Sequence, residues 1–149
     1  MSDATTRTTV AKAPRFILLE DEPLLAELFE MCIRDWFKDP EILKYADGDA
    51  AFRALEQFDP DMFLMDWTHP GLNGQELLER LSKRQPRFVI LLTSGIFSSE
   101  LRPTVCRDLK VGFLPKPFGV LQFWHALHEF IGPSDFPERQ EQLARQELR

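Results

Sequence analysis

Five polar side chains stand where apolar runs stop: Glu20 and Asp21 after Phe16-Ile17-Leu18-Leu19, Asp66 after Met62 to Met65, Thr93 after Phe88 to Leu92, and Lys116 just after Val111 to Leu114. An acid in such a place can act as a nucleophile or bind a metal, while a hydroxyl and an ammonium can stabilise charge that develops on a reacting group. If the runs are parallel strands of one sheet, their ends share an edge, and chemistry in open α/β sheets collects in the crevice beyond that edge. Glu20, Asp21 and Asp66 would then meet. Carboxylates brought together repel unless a proton or a cation intervenes. Hard oxygen ligands that keep several waters suit Mg²⁺. Taken one at a time, each residue has a plainer reading: Asp66 as a turn cap, Thr93 as an ordinary strand residue, Lys116 as a solvated charge.

The elements needed to bring these groups together can be read from periodicity. Phe16 to Leu19 forms a buried strand, and Pro23 suits the first turn of a helix whose apolar stripe is Leu25, Leu28, Phe29, Cys32, Ile33 and Trp36. Glu41 to Tyr45 is a second strand, and Asp47-Gly48-Asp49 starts a helix that buries Ala51, Leu55 and Phe58. Met62 to Met65 is a third strand, followed by a Pro-Gly-x-Asn-Gly turn and a helix marked by Leu77, Leu78 and Leu81. Phe88 to Leu92 is the fourth strand. Pro103 interrupts the next helix, which is expected to begin near Arg102 or Pro103 and end by Lys110, leaving residues 95–101 as a loop. Val111 to Leu114 is the fifth strand, and Gly119 to Ile131 the fifth helix. Parallel neighbours need crossover helices, so this alternation predicts an α/β fold, a doubly wound five-stranded parallel sheet.

Composition narrows the classes. The chain has 149 residues, 44% of them hydrophobic, enough for one domain with a sizeable core. A net charge of −6 without a Lys/Arg cluster argues against direct nucleic-acid binding. Cys32 and Cys106 lie in apolar helical patterns and read as reduced core residues. No apolar leader or membrane-length run occurs, so a cytoplasmic protein with no membrane contact is expected. Residues 1–14 read as a flexible arm, 15–132 as the folded domain, and 133–149 as a charged tail of good helix formers that needs a docking surface to be stable.

Four motifs then fall in register: Leu19-Glu20-Asp21-Glu22-Pro23; Leu64-Met65-Asp66 with Pro70-Gly71-Leu72-Asn73-Gly74; Leu91-Leu92-Thr93-Ser94; and Gly112-Phe113-Leu114-Pro115-Lys116-Pro117-Phe118. With them the chain resembles the receiver domain of two-component response regulators over residues 15 to 131, which implies a flavodoxin-like (receiver) fold. The resemblance implies that Asp66 accepts a phosphoryl group from a sensor histidine kinase, a phosphotransfer protein or a small phosphodonor. It implies that Asp21 and Asp66 bind Mg²⁺ directly, Glu20 through water, and Thr68 by its backbone carbonyl. Lys116 would pair with phosphoryl oxygens. Thr93 and Phe113 would form the switch, and the fourth helix, fifth strand and fifth helix would meet a downstream target or a second copy. The wide apolar band of the fifth helix, Phe123 and Trp124 included, could serve that face or the core.

The sequence also departs from the family's usual pattern. Phe113 has no hydroxyl to report an inward state, Thr68 and Gly95 are small, and Trp67-Thr68-His69 is an unusual lead-in to Pro70. Small residues at the two former positions suggest a short-lived phosphoryl group. Only 17 residues follow Gly132, so a stand-alone receiver acting by protein contact is expected rather than a built-in output module. Such a protein is not an enzyme in the ordinary sense, catalysing only its own phosphorylation and dephosphorylation. A phosphorylation-independent docking or dimerisation module is the alternative. A hydrolase would want an acid where Thr68 stands. His125 and His128 have a zinc-compatible spacing but no third ligand nearby, and read as surface residues; His69 is either a tuner of the site or an exposed loop residue.

Overall fold

The computed structural model describes residues 13–95 and 109–130. The N-terminal arm up to residue 12, Cys106, most of the region expected to hold the fourth helix, and the tail after Gly132 lie outside them. The described elements are β1 (Arg15–Leu19), α1 (Pro23–Trp36), β2 (Glu41–Tyr45), α2 (Gly48–Gln57), β3 (Met62–Asp66), α3 (Gly74–Lys83), β4 (Val89–Ser94), β5 (Val111–Pro115) and α4 (Val120–Phe130). All five strands pair in parallel in the order β2-β1-β3-β4-β5, a doubly wound arrangement of the flavodoxin-like kind.

Local chemistry sets the helix starts. Pro23 opens α1, where its missing N–H costs nothing. Asp47 caps α2 by accepting from the Ala50 N–H at 2.9 Å, and Asn73 caps α3 by accepting from the Glu76 N–H at 2.9 Å.

Within each apolar strand, successive side chains go to opposite faces. Phe16, Leu18, Met62, Leu64 and Leu91 join the layer under α1 and α4, while Ile17, Leu19, Phe63, Met65, Ile90 and Leu92 join the layer under α2 and α3. Burial on both faces is why these strands read as continuous apolar runs.

The structure shifts the bounds of β4 and settles the buried faces of two helices. β4 runs from Val89 to Ser94 instead of Phe88 to Leu92, because Thr93 still pairs with Asp66 and its carbonyl accepts from the Trp67 N–H at 2.8 Å. Leu28 does not join the buried stripe of α1; that face is centred on Ala26, Phe29, Ile33 and Trp36, and Leu28 falls at its edge, 36% exposed. In α4 the apolar surplus is core: Phe123, Trp124 and Leu127 are buried, with Phe123 against Phe29 at 4.8 Å and Trp36 at 5.4 Å between centroids. Each such aromatic carries about 2–3 kcal/mol of transfer free energy. Among the described side chains of this helix, the exposed large apolar ones are Val120 and Leu121, at its start.

Candidate functional site

The five strand-end groups do converge. Past β1, the Glu20 N–H donates to the Tyr45 carbonyl at 3.0 Å, extending the ladder by one residue and fixing Glu20 at the sheet edge. Its Oε2 accepts from the Glu22 N–H at 3.1 Å, and its Oε1 lies 3.4 Å from Lys116 Nζ. Asp66 ends the central strand β3, and Lys116 Nζ is 3.3 Å from its Oδ1. The same oxygen accepts a long hydrogen bond, 3.4 Å, from the Thr68 N–H. Lys116 is held by its own N–H donating to the Ser94 carbonyl at 2.8 Å, beyond the last pairing of β5 with β4.

Glu20 and Asp66 are buried, whereas Asp21 is exposed, yet ligand oxygens of all three lie within 4.8 Å of one another. Burial pushes the Glu20 carboxyl up to about 7, with the Asp66 charge adding to it and the Glu22 N–H and Lys116 opposing. Burial also raises Asp66; Lys116 and the Thr68 N–H pull against this, and Asp21 pushes the same way as burial. For Lys116, burial is the largest single influence and acts downward, but the Glu20 and Asp66 carboxylates outweigh it and raise the ammonium. Among the described residues, one ammonium pairs with two of the three clustered acids. The donor set is hard oxygen, partly open to solvent and short of positive charge, which fits a small divalent cation such as Mg²⁺.

Thr93 completes the arrangement. It is Asp66's partner in the β3–β4 register, is fully buried, and its hydroxyl has no hydrogen-bond partner among the described residues. A buried hydroxyl left unpaired costs about 1–3 kcal/mol and calls for an explanation, such as an acceptor that arrives with a ligand. Phe113 is half-buried, opposite Leu92 in the β4–β5 register and packed against the layer under α2 and α3.

The loop from Asp66 to Gly74 holds a feature that sequence reasoning left open. His69 is half-buried, with Nδ1 2.6 Å from the Asp66 carbonyl and Nε2 2.7 Å from the Leu72 carbonyl. Carbonyl oxygens only accept, so which ring nitrogen donates is set by the tautomer, while the ring spans both carbonyls in either case. The loop is also tied to the start of α2: the Gly48 N–H donates to the Pro70 carbonyl at 2.9 Å, and the Leu72 N–H to Asp49 Oδ2 at 3.1 Å. Gly48 permits this approach, since a Cβ there would lie 2.1 Å from the Leu72 carbonyl oxygen and 2.9 Å from His69 Nε2. Gly71 turns the loop at φ +82°, a conformation that favours glycine. No spacing rule pairs Gly48 with His69; only the fold brings them together.

The histidines of α4 do not form a metal site with the acids. His125 is exposed, and His128 stacks on Trp124 at 5.0 Å and 11°. Cys32 is a buried free thiol, raised chiefly by its burial.

Comparison with known proteins agrees with this geometry. The model of the response regulator receiver domain matches residues 16–128. The probable transcriptional regulatory protein TcrX of Mycobacterium tuberculosis is 27% identical over 104 residues, covering 70% of this chain and 44% of that protein. The DNA-binding transcriptional activator EvgA of Escherichia coli K12 is 35% identical over 81 residues, covering 53% of this chain and 38% of that protein. The chain thus spans less than half the length of these two relatives. Among solved structures, the receiver domain of the sensor histidine kinase PA1611 from Pseudomonas aeruginosa, which has a magnesium ion coordinated in its active site cleft, superposes with a TM-score of 0.68 at 23% identity. That match covers 81% of this chain and 99% of the other.

Proposed function

This chain belongs to the family of response regulator receiver domains of two-component signalling, and from that premise we propose that Asp66 is its phosphoacceptor, working with bound Mg²⁺. The observation that carries the reading is Lys116, whose ammonium lies within 3.4 Å of both Glu20 and Asp66 at the edge where the three acids meet. A docking module has no need to bury like charges together, which sets that alternative behind this one.

In the proposed reaction an Asp66 carboxylate oxygen attacks the phosphorus of a phosphohistidine. The P–N bond breaks, the histidine ring keeps the electron pair and takes up a proton, and an aspartyl phosphate forms. Asp21 and Asp66 would hold Mg²⁺ directly, Glu20 through water, and the Thr68 backbone carbonyl would add a ligand. The ion's role is to neutralise charge on the phosphoryl oxygens. Lys116 lies against the acceptor carboxylate, placed to share that charge. The Thr93 hydroxyl supplies a buried donor beside it, and its lack of a partner among the described residues supports that role. Phosphoryl transfer goes through a loose transition state with spread negative charge, so positioning and fixed positive charge supply most of the catalysis.

The chemistry is then limited to the protein's own aspartyl phosphate, with no turnover of external substrates. The donor is a sensor histidine kinase or a phosphotransfer protein. Output is read by a target protein, or by a second copy, at the face of β5, α4 and the segment between β4 and β5. Val120 and Leu121, exposed at the start of α4, support contact there. Thr93 and Phe113 would carry the switch by packing, the phosphoryl group favouring one of two arrangements through its contacts. Among the described residues no helix is long and apolar enough to cross a membrane, and a cytoplasmic site of action fits the proposed donors.

Incubation with acetyl phosphate and Mg²⁺, read by intact mass, tests the assignment. The native protein should gain one phosphoryl group and Asp66→Asn none. An equal adduct on both, or none on the native protein, would overturn the reading.

A further inference from the structure

We propose that His69 is a positioning residue that braces the β3–α3 loop in the shape its metal-binding carbonyl requires. The inference rests on the reading of Thr68 as a backbone ligand given above. The imidazole spans the loop from the Asp66 carbonyl, at 2.6 Å, to the Leu72 carbonyl, at 2.7 Å. Thr68 lies inside the segment thus closed. Without a brace, residues 67–72 would keep three ties to the body of the domain: the Trp67 N–H to the Thr93 carbonyl at 2.8 Å, the Gly48 N–H to the Pro70 carbonyl, and the Leu72 N–H to Asp49. The first holds only the residue that leaves β3, and the other two hold the far half of the loop. Between them, the Thr68 peptide is held by the long 3.4 Å contact from the Thr68 N–H to Asp66 and by the ring of His69.

The site is also fitted to this ring. Gly48 approaches so closely that a Cβ would come within 2.9 Å of His69 Nε2, so the position opposite the brace has room for hydrogen alone. Trp67 is fixed in a similar way from the other side, because a Cβ on Gly74 would come within 2.8 Å of its ring. Thr68 is therefore flanked by two side chains, each seated against a glycine, and by this arrangement the loop is shaped before any ion binds. A preformed ligand set loses less entropy on binding than one that must be ordered.

Two variants and two readouts test this. His69→Leu removes the ring nitrogens and their contacts with both carbonyls at similar volume, and His69→Gln keeps an N–H donor. In metal-free protein, amide hydrogen exchange at Trp67 and Thr68 should quicken at least tenfold in His69→Leu while the strand amides and those of Gly48 and Leu72 stay as in the native protein. Mg²⁺ affinity, followed by Trp67 fluorescence, should fall about five- to tenfold, with His69→Gln in between and the urea midpoint nearly unchanged. Native exchange and native Mg²⁺ affinity in His69→Leu would overturn the brace while leaving the phosphoacceptor reading intact. A loss of strand protection together with affinity would also overturn it, showing a general structural role. If the native protein bound no Mg²⁺, the metal reading itself would fall, and with it the purpose assigned to His69; the exchange data would still decide whether it braces the loop.

Discussion

The two edges of the sheet carry similar charges and treat them in opposite ways. At the amino edge, Arg15 faces Glu41 at 2.8 Å, with side chains 41% and 48% exposed, and the Arg15 N–H donates to Asp61 at 2.7 Å. At the carboxyl edge, Lys116 is 3.4 Å from Glu20 and 3.3 Å from Asp66, side chains that are 2% and 7% exposed. The first pair is longer in reach and shorter in distance, yet it is solvated and screened. The second is looser in geometry but desolvated, and there both acids are raised. Distance alone does not separate a structural ion pair from a reactive one; the water around it does.

The largest effect expected from breaking the second edge is on chemistry. Lys116→Ala should slow phosphorylation by acetyl phosphate by about a hundredfold or more, since a charge placed at the transferring group is lost. A rate within a few-fold of native would sink the charge-partner role of Lys116.

Next comes pH. Glu20 titrates near 7 in the fold against 4.5 in a free chain, so the folded state holds its proton more tightly than the unfolded one. The stability this confers is present below about pH 4.5 and is lost as pH rises through 7. Metal-free protein should therefore weaken between pH 5 and 8 in urea titrations, and Glu20→Gln should flatten that slope. Mg²⁺ affinity should rise over the same range, by up to about tenfold per pH unit for one proton released. A flat profile for both would show that Glu20 is not the group being charged.

The smallest effect belongs to the amino edge. Arg15→Ala should cost about 0.5–1 kcal/mol by urea denaturation and leave phosphorylation unchanged, because exposed pairs of this kind are weak. A loss of phosphorylation there would mean that the two edges are coupled, against the contrast drawn above.

Much of this was legible in one sequence. The apolar runs gave strands buried on both faces, and the polar residues after them gave the edge, because a parallel sheet leaves little choice of where strand ends go. Asp66, Lys116, Glu20 and Thr93 were reachable in that way. That the Thr93 hydroxyl finds no partner among the described residues was not, since it depends on what surrounds it in three dimensions. Leu28 fits a helical stripe by spacing and yet is exposed, because spacing marks a face without marking its edge. His69 was open to two readings because its partners are backbone carbonyls, which every residue type supplies, and Gly48 gives no sign in sequence of the loop it will meet.

The strand order has a consequence for the time course of assembly. During synthesis Glu20, Asp21 and Asp66 emerge well before Lys116, and β5 is one of the two edge strands, paired with β4 alone. A nascent sheet of the first four strands gathers the acids without their ammonium. The arrival of the last strand both finishes the sheet and brings the counter-charge to its edge, so closure of the sheet and neutralisation of the site are a single event.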